Sequence, residues 1–188
     1  MQITATSLIL ALCSVLSGAI EIEVNQDAYK SQGLVDFEIV DKPSPGTPFH
    51  FSFPVHDLEL ANEFYGGILG CIEGRSMAGK WRDFSLHGHQ LVTHWVGSDY
   101  RHHDYFNPVD GDEVPVPHYG LSMTVTEFQE LAGRVKDAGI EFIVPPHVRF
   151  QGMPGEQWTM FFKDPSGNNL EFKAMAKSEN LFAKYSVI

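Results

Sequence analysis

Hydrophobic and polar residues alternate in two stretches of the chain, and the alternation predicts two half-buried strands. Residues 49–55 place three phenylalanines on one face and His50 on the other. Residues 118–125 place four apolar side chains on one face and His118 on the other. Successive side chains of a strand point to opposite faces of the sheet. Each strand is therefore expected to bury one face and to open its polar face with a histidine.

An amphipathic segment follows each of these strands and predicts a helix. The first helix begins after Asp57 as its N-cap and ends near Gly66, and the second covers 126–139 with Thr126 as its cap and Gly139 as its stop. Alternation predicts more strands after each helix, at 80–86 and 90–96 in the first half and at 141–150, 156–163 and 169–175 in the second. The second half then reads strand, helix, strand, strand, strand, and the same order is expected in the first half, where two of the three later strands are located.

This order indicates an internal repeat with a defined register. Residues 88–92 match residues 167–171, so Val92 of the first half corresponds to Glu171 of the second. Two modules with one helix each can pair their sheets, with the helices on the convex side. The predicted fold class is α+β, in which two βαβββ modules form a curved half-barrel sheet. His50, His118 and Glu171 would line its concave side as a metal site.

The flanking segments differ from the repeat in composition. The expected divisions are a signal-peptide-like leader at 1–19, an acidic, proline-rich linker or strap at 20–47, a domain at 48–176 with modules at about 48–97 and 117–176, and a C-terminal tail at 177–188. Leu181, Phe182 and Tyr185 would pack the tail as a short helix. The aromatic and charged segment between the modules is a candidate lid over the site.

The N-terminal 19 residues carry no charged side chain, and cleavage after Ala19 fits the small residues there. A frayed or packed N-terminal helix is the alternative. Their apolar stretch is too short to span a bilayer comfortably, so no stable membrane span is expected once the leader is removed. The leader predicts the secretory pathway or secretion; a bipartite organelle leader stays open, and a non-functional leader would leave the protein in the cytoplasm.

Composition narrows the function classes. A chain of 188 residues fits one domain with an appendage. Its 13 Lys+Arg against 24 Asp+Glu give a net charge of -11, which excludes a free-standing nucleic-acid binder. Two cysteines exclude a disulfide scaffold and a thiolate zinc cluster. Nine histidines are many for this length and direct attention to metal binding and acid–base chemistry.

The repeat brings two imidazoles and one carboxylate to equivalent strand positions. His50 and His118 lie opposite the apolar faces of their strands, and Glu171 lies opposite Leu170 and Phe172. Non-haem Fe(II) favours two histidines and one carboxylate, with open positions for substrate and O₂. The alternative is that each residue is a hydrogen-bonded polar group in a groove.

Several motifs resemble those of the vicinal oxygen chelate superfamily, which holds glyoxalase I, bleomycin and fosfomycin resistance proteins and extradiol dioxygenases. They are Phe49-His50, Phe64-Tyr65-Gly66 with Leu69-Gly70, and the turn Asp164-Pro-Ser-Gly-Asn168 followed by Glu171. The resemblance covers about 48–176. It implies divalent-metal binding at His50, His118 and Glu171. Because Val92 stands where glyoxalases have a fourth ligand, the resemblance is to the extradiol pattern of two histidines and one glutamate.

The same resemblance assigns catalytic roles to two further histidines. His94 is the candidate base or hydrogen-bond donor toward the substrate, and His147 would stabilise or protonate the oxygen intermediate. The tyrosine that usually follows is missing near Gln157, Trp158 and Thr159.

The resulting hypothesis is a non-haem Fe(II) extradiol-type dioxygenase that cleaves a catechol-like or other vicinal-oxygen substrate with O₂. The alternatives are a glyoxalase-like isomerase or lyase using Mn(II), Zn(II) or Ni(II), and a non-catalytic binding protein of the bleomycin-resistance kind. A small molecule is the expected partner in each case, and a homodimer is left open because module exchange between subunits is common in this superfamily.

Overall fold

The computed structural model describes residue 41, residues 45–184 and two strands nearer the N-terminus, β1 (Cys13–Leu16) and β2 (Ala19–Ile22). The chain divides into two units, Met1–Ile39 and Val40–Ile188. In the first unit β1 and β2 pair antiparallel. Most of the expected leader and of the 20–47 linker lies outside the described residues, so both stay predictions.

The first module follows the predicted order of elements. Its elements are β3 (His50–Val55), α1 (Leu58–Asn62) continuing as a π-helical segment (Glu63–Ile68), β4 (Ile72–Met77), β5 (Trp81–Leu86) and β6 (His89–Trp95). The Asp57 carboxylate caps α1 by accepting from the backbone N–H groups of Glu59 and Leu60 at 2.8 and 3.0 Å. The sheet order is β3-β6-β5-β4.

A hairpin connects the two modules. Its strands are β7 (Tyr105–Val109) and β8 (Asp112–Val116), which pair antiparallel. Val114 of β8 is buried against Val144 and Phe161 of the second module. The connecting segment is therefore a structured element that lies on the second module.

The second module repeats the order of the first. Its elements are β9 (His118–Tyr119), α2 (Val125–Asp137), β10 (Phe142–Arg149), β11 (Gln157–Lys163) and β12 (Asn169–Met175), followed by a 3₁₀ helix (Ser178–Phe182). The sheet order is β10-β11-β12-β9. The cap of α2 is Thr124, in a capping box with Glu127, so the prediction of Thr126 was wrong.

The register confirms the repeat. In the parallel pair β3–β6, His50 lies opposite Gln90, and in the parallel pair β12–β9, His118 lies opposite Asn169. Val92 and Glu171 each come two residues later, so they occupy equivalent positions. The two curved four-stranded sheets do not close into a barrel. The predicted α+β class is confirmed.

The modules bury their apolar faces in one shared core. It joins Phe53 and Phe64 of the first module to Phe162 and Phe172 of the second. Tyr119 packs on Phe53 with ring centroids 4.9 Å apart. Burial of such aromatic side chains supplies much of the stability of a domain this size.

Two predicted packing features differ in the structure. Phe49 precedes β3 and is 61% exposed, so only the two later phenylalanines of its stretch reach the core. Phe182 is 90% exposed, so the tail forms a short helix without burying this ring, and Tyr185 lies outside the described residues. Among the residues that are described, no helix is long and apolar enough to cross a membrane.

Candidate metal centre

His118 and Glu171 meet on the polar face of the second sheet. The parallel pairing of β9 with β12 sets His118 beside the start of β12, and its Nε2 lies 3.2 Å from Glu171 Oε2. The His118 Nδ1–H donates to the carbonyl oxygen of Pro115 at 2.6 Å. A fixed donor bond at Nδ1 orients the ring and presents Nε2, which is how metal-binding histidines are usually held.

Glu171 is a buried carboxylate surrounded by donors. Its side chain is 6% exposed, Thr159 Oγ1 donates to its Oε1 at 2.9 Å, and Lys173 Nζ lies 3.0 Å from its Oε2. Burial alone would raise the pKa of this carboxyl, but the bond from His118, the charge of Lys173 and the bond from Thr159 lower it to about 2. The hydrogen bond between His118 and Glu171 also raises the pKa of His118.

A buried arginine joins this face to the hairpin. Arg149 is 4% exposed; its Nε lies 2.9 Å from Asp112 Oδ2 and its NH1 3.9 Å from Glu171 Oε1. Its guanidinium also lies over the Phe161 ring, 5.7 Å from the centroid. Neither Arg149 nor Asp112 was predicted as a site residue. The available signal was spacing, since Arg149 comes two residues after His147 in one strand.

His147 lies on the same face as Glu171. It pairs in register with Thr159 of β11, which pairs in turn with Lys173 of β12. Its Nδ1 lies 2.8 Å from the Pro145 carbonyl oxygen and its Nε2 lies 3.2 Å from Asp112 Oδ2. Both ring nitrogens therefore face hydrogen-bond acceptors, which hold the ring in place.

His50 lies on the sheet of the first module. Its Nδ1 is 2.7 Å from Gln90 Oε1, and the Gln90 amide donates to Asp83 Oδ2 at 2.9 Å. Arg75 also donates to this carboxylate, at 2.9 Å. Because the amide oxygen can only accept, His50 donates from Nδ1, and in the neutral ring Nε2 carries the lone pair. This repeats the anchoring of His118.

The polar faces of the two modules point away from each other. His50 lies opposite Phe51 and Phe53, and Glu171 lies opposite Leu170 and Phe172, while those apolar residues all pack in or against the shared core. The structure therefore brings His118 and Glu171 together but places His50 elsewhere. Within residues 41 and 45–184, no three histidine, cysteine or acidic side chains form a group that could hold a metal.

His94 shares the polar face of His50. It lies opposite Trp81 in β5 and is exposed. The predicted catalytic pair is thus divided, with His147 beside the Glu171 site and His94 on the other sheet.

The donor set suits a divalent metal. Two anchored imidazoles and a buried carboxylate are typical ligands of Fe(II), Mn(II), Zn(II) and Ni(II). Of these three ligands, a single chain brings together His118 and Glu171, while its His50 lies on the other sheet.

Comparison with known proteins agrees with this fold. The structure is similar to a glyoxalase/bleomycin resistance protein/dioxygenase from Alicyclobacillus acidocaldarius, at 29% identity and a TM-score of 0.61 over 74% of this chain and 98% of that one. It is also similar to the fosfomycin resistance protein FosX from Listeria monocytogenes, at 22% identity and a TM-score of 0.53 over 72% of this chain and 97% of that one. No curated protein matches.

The family model of the glyoxalase/bleomycin resistance protein/dioxygenase superfamily matches residues 47–172. These residues span both modules and the hairpin between them. The chain therefore belongs to the glyoxalase/bleomycin resistance protein/dioxygenase superfamily.

Proposed function

We propose that this protein is a divalent-metal enzyme that acts on a small substrate with two neighbouring oxygen atoms. The observation that carries the proposal is the buried Glu171 carboxylate, 3.2 Å from the Nε2 of a histidine whose Nδ1 is already bonded. Superfamily membership supports it, because members are often metal-dependent enzymes.

The third ligand in this proposal is His50 of the partner subunit in a homodimer. The two polar faces of one chain point apart, whereas a twofold axis can set the first-module face of each copy against the second-module face of the other. Each of the two sites would then hold His118 and Glu171 from one chain and His50 from the other.

Mixing two inactive variants tests this arrangement. His50→Ala and His118→Ala should each lose metal alone, but refolding them together should restore about a quarter of the wild-type metal content, because half of random dimers carry one intact site. His118→Ala mixed with Glu171→Ala is the matched control. It should restore no metal binding, because each site takes His118 and Glu171 from the same chain and every site in the mixture would lack one of them. A site within one chain would give no recovery in either mixture.

Ring cleavage with O₂ is the reaction we place first. Two histidines and one glutamate, with Val92 where a fourth ligand would lie, match the ligand set of non-haem Fe(II) and leave positions open for substrate and O₂. When bound, the metal supplies Lewis-acid stabilisation of a chelated oxygen and, as Fe(II), activation of O₂.

The protein's own histidines would move the protons. His147, with Asp112 and the Pro145 carbonyl holding its two nitrogens, is placed to donate a proton on the Glu171 face. His94 shares a face with His50, so in the homodimer it would enter the site together with that ligand. It is the candidate base toward a substrate hydroxyl.

A redox-neutral isomerase or lyase is the second candidate, and Phe161 favours it. This residue pairs with Glu171 in register, and its ring meets the His118 ring edge-on with centroids 5.1 Å apart. A phenol there could hydrogen-bond to a bound catecholate, but phenylalanine cannot. The hydroxyl that contacts Glu171 belongs to Thr159.

Oxygen uptake separates the two reactions. Protein purified without oxygen and loaded with Fe(II) should consume O₂ with a member of a catechol panel if it is a dioxygenase. Turnover of a vicinal-oxygen substrate with Zn(II), Ni(II) or Mn(II) and without O₂ would instead support the isomerase or lyase. Failure to take up any of these metals would contradict both and leave a metal-free binding protein.

For the N-terminus we propose a cleavable leader that directs the chain to the secretory pathway. The absence of charge in residues 1–19 supports it. N-terminal sequencing of a C-terminally tagged protein from its host tests it: a mature chain starting at Ile20 is expected, and a start at Met1 would contradict it.

A further inference from the structure

A cleft of about 540 Å³ lies at the start of α1, on the helix side of the first sheet. Its walls are residues 56–59, the turn between β4 and β5 at residues 76–79, and Trp95 at the end of β6. Because Trp95 follows His94 in the same strand, its side chain points to the opposite side of the sheet from His50 and His94. The cleft is therefore separate from the metal site proposed above, and its volume is that of a small-molecule site.

Two large apolar side chains of this cleft are exposed to solvent. Met77 is 55% exposed and Trp95 46%, while Leu58 forms a buried wall. Trp81 also borders the cleft, but the Arg75 guanidinium already lies over its ring, 5.8 Å from the centroid. Trp95 is therefore the indole that a ligand can reach, and an indole face attracts flat apolar groups and cations.

The polar part of the cleft carries more negative than positive charge. Arg82 lies between two carboxylates, with its NH2 2.7 Å from Glu59 Oε1 and its NH1 3.4 Å from Glu73 Oε1. Asp57 adds a third carboxylate to this end of the cleft, whereas Lys80 of the adjoining turn does not line it. A ligand with a positive charge is therefore favoured over a neutral or an anionic ligand.

The start of α1 does not offer an anion site. Asp57 Oδ1 accepts from the backbone N–H groups of Glu59 and Leu60, at 2.8 and 3.0 Å. The donors that could hold a carboxylate or a phosphate at a helix start are thus already bonded. Because both bonds go to Oδ1, the Oδ2 atom of the same carboxylate can take a cation.

We propose that this cleft binds an organic cation with an apolar body, a class that includes aromatic and quaternary ammonium compounds. The apolar body packs on Trp95 and Met77, and the charged group lies toward Asp57 and Glu59. The inference does not depend on the metal site. It assigns the protein a second ligand, bound on the other side of the first sheet.

Isothermal titration calorimetry with three probes of similar size tests the proposal: benzyltrimethylammonium, benzyl alcohol and benzenesulfonate. The full chain should bind the cation at least about 10-fold more tightly than either of the other probes. Trp95→Leu and Asp57→Asn should each raise the Kd of the cation about fivefold or more. Asparagine is also a good N-cap, so Asp57→Asn removes the charge and keeps the start of α1 in place.

Tyr105→Leu and Asp137→Asn are the matched controls, because both residues are exposed and lie outside the cleft. They should leave the Kd of the cation unchanged, and so should His118→Ala, which removes a ligand of the proposed metal site. Equal affinity for the three probes, a preference for benzenesulfonate, or no binding of the cation by wild type would overturn the proposal. Cation binding that persists in both Trp95→Leu and Asp57→Asn would overturn it as well, because the cation would then lie elsewhere.

Discussion

At the scale of single residues, the site consists of a carboxylate that stays charged although it is buried. Burial opposes ionisation of Glu171, but donors from Thr159, His118 and Lys173 outweigh that cost. A carboxylate prepared in this way needs no deprotonation before it binds a metal.

The pH dependence of the metal-free protein follows from this pair. Glu171, with its pKa lowered from 4.5 to about 2, stabilises the folded state above pH 4.5 and loses this effect as the pH falls toward 2. His118, with its pKa raised from 6.5, stabilises it below pH 6.5 and loses this as the pH rises through the raised value. The pair should contribute most between these limits.

Urea unfolding at pH 6 and pH 3 measures the acid side of this window. Between pH 6 and pH 3, the free energy of unfolding should fall by about 2 kcal/mol more for wild type than for Glu171→Gln. The other carboxylates titrate alike in both proteins, so the difference reports Glu171 alone. Equal losses would show that Glu171 has an ordinary pKa.

Part of this site could be predicted from residues alone. Strand alternation correctly put Glu171 on one face of its strand and Leu170 and Phe172 on the other. It could not show that Asp112 folds back onto His147 and Arg149, because that contact depends on how the hairpin lies on β10.

At the scale of elements, the close approach of β9 to β12 sets the geometry of the centre. Gly120 follows β9, and a Cβ built on it would lie 1.7 Å from the Glu171 carbonyl oxygen. Any side chain there must push the segment that carries His118 away from β12.

Gly120→Ala should therefore lower the free energy of unfolding by about 2–4 kcal/mol and weaken metal binding. Gly133→Ala is the matched control: its Cβ would meet nothing within 4 Å in the middle of α2. Gly133→Ala should raise the free energy of unfolding by roughly 0.5–1 kcal/mol and leave metal binding unchanged. Chemical denaturation and metal titration measure both effects, and a Gly120→Ala protein as stable and as tightly metal-binding as wild type would contradict the account.

The order of the elements was predictable because the same pattern of strand, helix and strands occurs in both halves of the sequence. The helix caps show the limit: Thr124 and Thr126 both precede apolar residues, and only the reciprocal bonds between Thr124 and Glu127 decide between them. The π-helical continuation of α1 carries no comparable signal in the sequence.

At the scale of the whole molecule, a polar contact inside the shared core ties the modules together. The Tyr65 hydroxyl donates to Asp164 Oδ2 at 2.8 Å and lies 2.5 Å from the Tyr119 hydroxyl. Asn168 Nδ2 donates to the Pro54 carbonyl oxygen at 3.0 Å. The Asp-Pro-Ser-Gly-Asn turn that marked the superfamily in the sequence therefore joins the two modules.

Tyr65→Phe should lower the free energy of unfolding by about 1–3 kcal/mol, because it removes a donor from a buried carboxylate. Tyr105→Phe, at a tyrosine that is 72% exposed, is the control and should change it by less than about 0.5 kcal/mol. Thermal and urea unfolding provide the comparison. Equal stability of the two variants would mean that the Tyr65 hydroxyl contributes nothing to module packing.

The relation between the modules was the hardest feature to predict. Alternation placed His50 and His118 on the polar faces of their strands. It does not say how the two sheets are oriented relative to each other, because that depends on how they pack. Both sheets bury their apolar faces in the shared aromatic core, so their polar faces point in different directions. This arrangement is seen only in the folded chain.

Metal content tests the central claim most directly. Wild-type protein purified without oxygen and offered Fe(II) or Zn(II) should hold about one metal per chain. His50→Ala, His118→Ala and Glu171→Gln should each lose it while remaining folded, and His103→Ala, at an exposed histidine outside the site, should keep it. Metal retained by all four variants, or bound by none of the proteins including wild type, would contradict the account.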